Sequence, residues 1–249
     1  MILTAYCFIQ FAVQVLWLSK WIMPRIMKSR GQASEKRNQA LAYAHRHVSI
    51  YLNTLKRLGL VSFEFIGTPA EEPAVIVANH PSLLDFIVLL RDFPNAVCLY
   101  KSQTSHNPIL SDFVKVAGYI EGMDGTREAS RRIIDECCQQ LEEGHHVIFF
   151  PEGTRSKSND AVSRFRTTGF HAAIKSGVVV QPVVIYCSPL FLGKNQSWKD
   201  FSKARNRMVI EYLEPIKPNV LAEESGSSKM LADHVRKTIE ERLSVYING

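Results

Sequence analysis

The sequence predicts an α/β fold in which a mixed central sheet is flanked by helices, with a membrane-associated helical segment at the amino terminus. Three observations lead there. Short β-rich apolar runs alternate with stretches of helical periodicity from about residue 62 to 213, the pattern of strands separated by covering helices. The junctions carry Gly, Pro and capping residues. Residues 1–22 are densely apolar and hold a single charge, Lys20. A chain of 249 residues is long enough for one domain with a sizeable core. No composition break calls for a second. The expected division is a membrane-anchoring helix with its basic flank at 1–37, an α/β domain at 38–214, and a linker with a peripheral helix at 215–249.

The first segment admits more than one arrangement. At ~1.5 Å per residue it could just span a bilayer core of about 30 Å. Gln10 and Gln14 interrupt it, four apart and therefore on one helical stripe, which suits a helix lying in the membrane plane. A buried core helix followed by a solvated charged turn is the alternative. A cleaved signal fits poorly, because no basic region precedes the apolar run and no small-x-small site follows it. Beyond the run, Lys20, Arg25, Lys28, Arg30, Lys36 and Arg37 face only Glu35, and Trp17 and Trp21 stand at its edge. Basic flanks stay cytoplasmic and Trp prefers the interface, so the domain is expected to face the cytoplasm at a bacterial inner membrane.

Residues 38–58 show helical spacing and 62–66 alternate as a half-buried strand does. Residues 74–78 and 96–100 read as strands on either side of an apolar helical stretch, 83–90. Thr126 can cap a helix over 127–143, Gly144 can end it, and 147–150 read as a buried strand. A further helix over about 164–176 stops at Gly177 and leads into a β-rich run, 178–187, interrupted by Pro182; residues 208–213 form a last strand. Two prolines and a Glu-Glu-Ser-Gly-Ser-Ser patch make 215–229 a surface linker, and 230–247 have the periodicity of a packing helix.

Composition narrows the partners. Thirty Lys and Arg against 24 Asp and Glu give a net charge of +6 and a pI near 9.1, which fits an anionic partner such as a membrane surface. No zinc-finger spacing, basic zipper or aromatic sheet motif points to nucleic acid, and none is expected as a partner. The five cysteines are odd in number and sit mostly in apolar runs, so they read as buried thiols of a reducing compartment. His145-His146 and His45-Arg46-His47 lack metal-ligand spacing and read as structural, so no metal site is expected. There is no Gly-x-Ser-x-Gly elbow, His-Glu-x-x-His or P-loop, against the corresponding hydrolase classes.

Two stretches gather polar groups after apolar runs. In Asn79-His80-Pro81-Ser82-Leu83-Leu84-Asp85 an imidazole and a carboxylate lie five positions apart. A neutral imidazole can take the proton from an attacking alcohol while a carboxylate on its other nitrogen fixes the tautomer. Ser82 and Asp85 also fit a helix capping box. In Phe150-Pro151-Glu152-Gly153-Thr154-Arg155-Ser156, a buried strand turns sharply at a glycine and presents a guanidinium able to grip an anion. Glu152 could bind a substrate hydroxyl or hold Arg155, and a plain surface turn with a Glu-Arg ion pair is the alternative.

These stretches, about 70 residues apart, resemble the His-x4-Asp and Glu-Gly-Thr-Arg motifs of the glycerolipid acyltransferase family, of which the lysophosphatidate (1-acylglycerol-3-phosphate) acyltransferases are the best-known members. The proline-containing run Val180-Gln181-Pro182-Val183-Val184-Ile185 resembles a further family block, and the likeness covers roughly residues 75–190. The resemblance implies transfer of a fatty acyl chain from acyl-CoA or acyl carrier protein to a lysolipid hydroxyl, giving phosphatidic acid if the acceptor is 1-acylglycerol-3-phosphate. It makes His80 the base and Asp85 its partner, gives Glu152, Gly153, Thr154 and Arg155 to the acceptor, and requires no cofactor beyond the acyl donor. One block departs from the pattern. Where the family has a Gly-x-Ile-Phe-Ile-Asp-Arg-like strand, this chain has Gly118-Tyr119-Ile120-Glu121-Gly122-Met123-Asp124, with Arg127 the nearest replacement for the arginine. Losing a cation and gaining carboxylates disfavours a dianion. A lyso-ornithine lipid, a glycolipid or an aryl-polyene-type lipid is therefore an alternative acceptor, and a non-catalytic lipid-binding protein of the same fold is the alternative from another class.

Overall fold

A computed structural model describes residues 2–100, 107–122, 126–156, 162–197, 199–202, 205–218 and 228–248. The amino-terminal helix is longer than residues 1–22. Helix α1 (Ile2–Trp17), a π-helical turn (Leu18–Ile22) and α2 (Met23–Lys28) form one run of 27 residues, long and apolar enough by length and composition to cross a bilayer. It packs along α3 (Ala33–Arg57). Its polar stripe faces the protein: Gln10 donates to Thr54 Oγ1 on α3 at 3.1 Å, while Thr4 and Cys7 are fully buried. The exposed side carries Ile2, Tyr6, Ile9, Val13, Leu16 and Trp17. An interfacial helix with its glutamines toward water would show the reverse.

The alternation read from the sequence becomes a seven-stranded sheet: β1 (Val61–Ile66), β2 (Val75–Ala78), β3 (Val97–Tyr100), β4 (Ile120–Glu121), β5 (Val147–Phe149), β6 (Val180–Ser188) and β7 (Asn206–Tyr212). Their spatial order is β1-β7-β6-β2-β5-β3-β4. Strands β6, β2, β5, β3 and β4 run parallel, and β7 pairs antiparallel with β6 and parallel with β1. The sheet is therefore mixed, as predicted.

Both faces of the sheet are covered, because successive strand residues point to opposite sides. From β2, Ile76 and Ala78 join Leu52 and Leu55 of α3 and Val88 and Leu89 of α4 (Asp85–Asp92). Val75 and Val77 go the other way, to Ile133 of α6 (Arg127–Glu142), Phe170 of α7 (Thr168–Ser176) and Val235 of α8 (Ser228–Asn248). A third, smaller cluster joins Leu18 and Met23 to Ala40, Leu41 and Ala44 of α3, with Phe113 of α5 (Ser111–Val116) against it. The amino-terminal run is thus packed as part of the fold.

The sequence reading missed α5 and β4, which are too short to show a period. It also began α7 too early. Residues 164–167 are not helical because the Arg166 N–H is drawn to the Pro151 carbonyl at 3.0 Å. Thr126 caps α6 as expected, accepting from Ala129 N–H at 3.1 Å. Pro182 is tolerated in the sheet interior because it sits opposite Val77, one residue before the antiparallel ladder with β7 begins at Val183. No disulfide joins the five cysteines, all of which are buried. Within the expected 215–229 linker, Ile216 still bridges to Val180, and residues 219–227 lie outside the described residues.

His146 is buried and its ring lies against Phe93, centroids 5.0 Å apart. Burial, reinforced by the adjacent His145, pushes its pKa from 6.5 down to about 4. Below pH 6.5 the unfolded chain takes up a proton that the folded chain refuses until about pH 4. Stability is therefore full above that window and is lost as pH falls through it, by ~2 kcal/mol at pH 5 relative to pH 7. Thermal unfolding followed from pH 7 to pH 4.5 should show the decline, and His146→Gln should flatten it.

Candidate active site

The site forms at the carboxyl ends of β2 and β5, neighbours in the sheet, where ligands of α/β folds gather. Asn79 extends β2 by side-chain bonds: its Nδ2 donates to the Ile185 carbonyl and its Oδ1 accepts from Ile185 N–H, each at 2.8 Å. That double bond to β6 fixes where the next residue, His80, leaves the sheet.

His80 Nδ1 lies 2.7 Å from Asp85 Oδ2. The imidazole is 21% exposed and the carboxylate fully buried. Asp85 stands at the first position of α4, and the same Oδ2 accepts from Ser82 N–H at 2.8 Å. The helix is capped at Leu84 and not at Ser82, so the expected capping box does not form: Ser82 Oγ accepts from Leu84 N–H at 3.3 Å, and the Asp85 oxygen that meets the imidazole also takes the Ser82 N–H. Burial pushes the Asp85 carboxyl up, and the His80 contact and the Ser82 N–H pull against it. An imidazole that donates Nδ1–H to Asp85 keeps its Nε2 lone pair for a substrate proton.

Glu152 is buried, and its carboxylate faces the protein. Oε1 accepts from His80 N–H at 3.0 Å, Oε2 accepts from Ser163 N–H at 3.0 Å, and Ser156 Oγ reaches both oxygens at 3.1 and 3.2 Å. Ser156 N–H donates in turn to the His80 carbonyl at 2.6 Å. Both backbone groups of His80 are thus held by the second motif, and its ring stacks on Phe150 with centroids 4.3 Å apart. Arg155 does not pair with Glu152 among the described residues. Its Nη1 donates to the Leu192 and Gly193 carbonyls at 2.7 and 3.0 Å. The Leu192 carbonyl also accepts from Leu83 N–H at 3.1 Å, so one carbonyl joins both motifs. Leu192 has φ +51°, a left-handed conformation costing roughly 1–2 kcal/mol for a side chain of this kind, and these two donors fix its carbonyl.

Gly153 has φ +69°, and a Cβ there would lie 3.0 Å from the Arg166 guanidinium. Gly153 is exposed and Thr154 half-buried, so this turn forms the outer wall of the site with Arg166 above it. Sequence reasoning missed Arg166, Phe150 and Ser156. Phe150 and Ser156 bound the recognised stretch but were given no role by it; Arg166 is brought in by its backbone bond to Pro151. From the divergent block, Glu121 ends β4 on the same side of the parallel strands, Arg127 opens α6 exposed, and Met123 and Asp124 lie outside the described residues.

A cavity of about 550 Å³ opens beside His80, within the range that holds one small ligand. Its wall is overwhelmingly apolar. Phe8, Phe11 and Val15 of α1 form one side, Leu83, Phe86 and Leu90 another, and Phe113 and Val114 of α5 a third. Phe8 packs on Phe201, which packs on Phe191, so α1 is joined to the segment that carries Leu192.

Residues 62–186, half of the chain and inclusive of both motifs, match the family model described as Acyltransferase. The chain is 32% identical over 117 residues to a 1-acyl-sn-glycerol-3-phosphate acyltransferase of Chlamydomonas reinhardtii, a match covering 47% of this chain and 35% of that protein. It is 31% identical over 119 residues to the lyso-ornithine lipid O-acyltransferase of Pseudomonas aeruginosa, covering 48% and 45%. It spans less than half the length of each of these relatives. The fold matches the crystal structure of the 1-acyl-sn-glycerophosphate (LPA) acyltransferase PlsC from Thermotoga maritima, with a TM-score of 0.75 over 98% of this chain and 95% of that one, at 20% identity. Motifs, fold and family match agree, and the chain belongs to the glycerolipid acyltransferase family.

Proposed function

We propose that the protein transfers an acyl group from acyl-CoA or acyl carrier protein to the hydroxyl of a lysolipid, with 1-acylglycerol-3-phosphate as the first acceptor to test. The observation that carries the proposal is the His80–Asp85 pair at the wall of an apolar cavity. The cavity holds the acyl chain, which places the thioester carbonyl beside the imidazole. His80 Nε2 takes the proton of the acceptor hydroxyl as the oxygen attacks that carbonyl. The tetrahedral intermediate collapses, the carbon–sulfur bond breaks, and the proton passes from His80 to the leaving thiolate. Asp85 holds the tautomer and stabilises the imidazolium between these steps. No covalent acyl-enzyme is needed.

Glu152 acts by positioning His80, while Gly153, Thr154 and Arg155 border the acceptor. Arg155 has Nε and Nη2 left to meet an anion, and Arg166 adds a second positive charge to the same wall. Because the Gly118–Asp124 stretch lacks the expected arginine, an acceptor with a different polar group, such as a lyso-ornithine lipid, is the second reading. The exposed apolar side of α1, continued by Trp17 and Trp21, seats the protein on a membrane with the helix lying along the surface and the domain on the cytoplasmic side.

Thiol release and lipid product, measured with both donors and with lysophosphatidate and lyso-ornithine lipid acceptors, test the reaction. His80→Ala and Asp85→Asn should each lower turnover by about 10²–10⁴-fold. His80→Ala leaves a buried carboxylate without its partner, so circular dichroism and thermal unfolding must accompany the assay. Full turnover in folded His80→Ala protein would remove His80 as the base. Glu152→Gln sets an amide N–H against N–H donors, and should lower both Tm and kcat with little change in acceptor KM. A rise in acceptor KM alone would instead make Glu152 a substrate contact. Replacing Leu16 and Trp17 by glutamate should weaken sedimentation with phospholipid vesicles at least tenfold, and unchanged sedimentation would rule out the surface orientation.

A further inference from the structure

Arg155 commits part of its guanidinium to the protein itself. Nη1 donates to two successive carbonyls, Leu192 at 2.7 Å and Gly193 at 3.0 Å, 37 and 38 positions along the chain. A charged donor restrains a carbonyl more firmly than a neutral one does. The residue it restrains is the strained one: Leu192 has φ +51°, a backbone state that a leucine keeps only where its surroundings fix it. The same carbonyl takes a second donor, the Leu83 N–H at 3.1 Å. The loop is braced within itself by Gln196, whose Oε1 accepts from Gly193 N–H and whose Nε2 donates to the Leu190 carbonyl, each at 2.9 Å.

The side chains that this arrangement sets in place are apolar and belong to the cavity. Leu83 and Leu192 both line it, together with His80. Phe191 is buried against Phe201, which packs on Phe8, a cavity residue of α1. Arg155 is not among the described residues of the lining. Its hold on the cavity therefore passes through backbone: one carbonyl joins the loop after β6 to the stretch that carries His80, and Nη1 keeps that carbonyl where it is.

We propose that Arg155 is a positioning residue for the acyl donor: by holding Leu192 in its left-handed conformation it sets the part of the cavity wall formed by Leu83 and Leu192, in addition to the charge it offers the acceptor. The inference rests on the acyl-transfer reading above and deepens it, because it gives the Glu-Gly-Thr-Arg stretch a role in recognising the donor. Without Nη1, the Leu192 carbonyl keeps only the Leu83 donor and the Gly193 carbonyl loses its charged one. The loop then relaxes toward an ordinary φ and carries the Leu192 side chain off the wall. An uncharged chain in the cavity senses that change without touching the guanidinium.

Detergent-purified full-length protein would be titrated with an uncharged fluorescent long-chain alcohol, which has the chain of a donor and no group that pairs with a guanidinium. Arg155→Met and Leu192→Gly should each weaken its binding about tenfold, and the double variant should bind about as weakly as either alone, because both act through one stretch of backbone. Val15→Ala, on the wall contributed by α1, should instead weaken binding by a factor that multiplies with that of Arg155→Met. Circular dichroism checks the fold of each variant. Arg155→Lys, which keeps the charge and one donor nitrogen, carries the same comparison with a smaller loss if Arg155→Met does not fold. In the transfer assay the KM for palmitoyl-CoA should rise with the Kd for the alcohol. Unchanged alcohol binding in Arg155→Met, with only the acceptor KM raised, would overturn the inference while leaving acyl transfer intact, and so would losses that multiply in the Arg155–Leu192 double variant. Coupled losses of binding, with no transfer from any donor by the wild type, would uphold the role of Arg155 in shaping the cavity and overturn the acyl-transfer reading instead.

Discussion

The structure of the site depends on one buried carboxylate. Glu152 is removed from water at a cost of several kcal/mol unless its oxygens are satisfied, and its donors come from three separate stretches: the backbone of His80, the hydroxyl of Ser156 and the backbone of Ser163. A group that must collect those donors cannot be displaced without losing them together. The loop after β2 and the loop after β5 are therefore locked to each other, and the imidazole inherits its place from that lock. The Leu192 carbonyl repeats the arrangement on the other side, drawing Leu83 and Arg155 to one strained residue.

This division explains why the two motifs have different characters. His80 and Asp85 are close in sequence and in space, and their contact is local. Glu152 and Arg155 point much of their polarity inward and hold backbone in place, the first at His80 and the second at Leu192 and Gly193. The outer face of the same turn, Gly153 with Arg166 above it, is left to meet solvent or a ligand.

Much of this was legible in the sequence. The strand and helix order followed from periods of two and 3.6, and His80 was placed at a sheet edge by the strand ending at Ala78. The capping box that Ser82 and Asp85 spell in sequence does not form because α4 starts two residues later than it requires, and one Asp85 oxygen instead holds the imidazole and the Ser82 N–H together. What the sequence could not show was set by distance along the chain. Nothing near Glu152 announces that its partner is the His80 backbone, 72 positions earlier. Nothing near Gln10 says that the stripe it begins is turned toward α3. A polar stripe on an apolar helix fits water or protein equally well, and only packing chooses.

The amino-terminal helix bears two unrelated demands on alternate faces. Phe8, Phe11 and Val15 shape the cavity, while Ile9, Val13 and Leu16 point outward. Because the faces share a backbone but almost no neighbours, substitutions on one are close to additive with substitutions on the other. Changes on one face of such a helix can reshape the cavity lining without altering the exposed apolar side, and changes on the exposed side can accumulate without altering the cavity. That independence is a route by which one scaffold diversifies in small, separately tolerated steps.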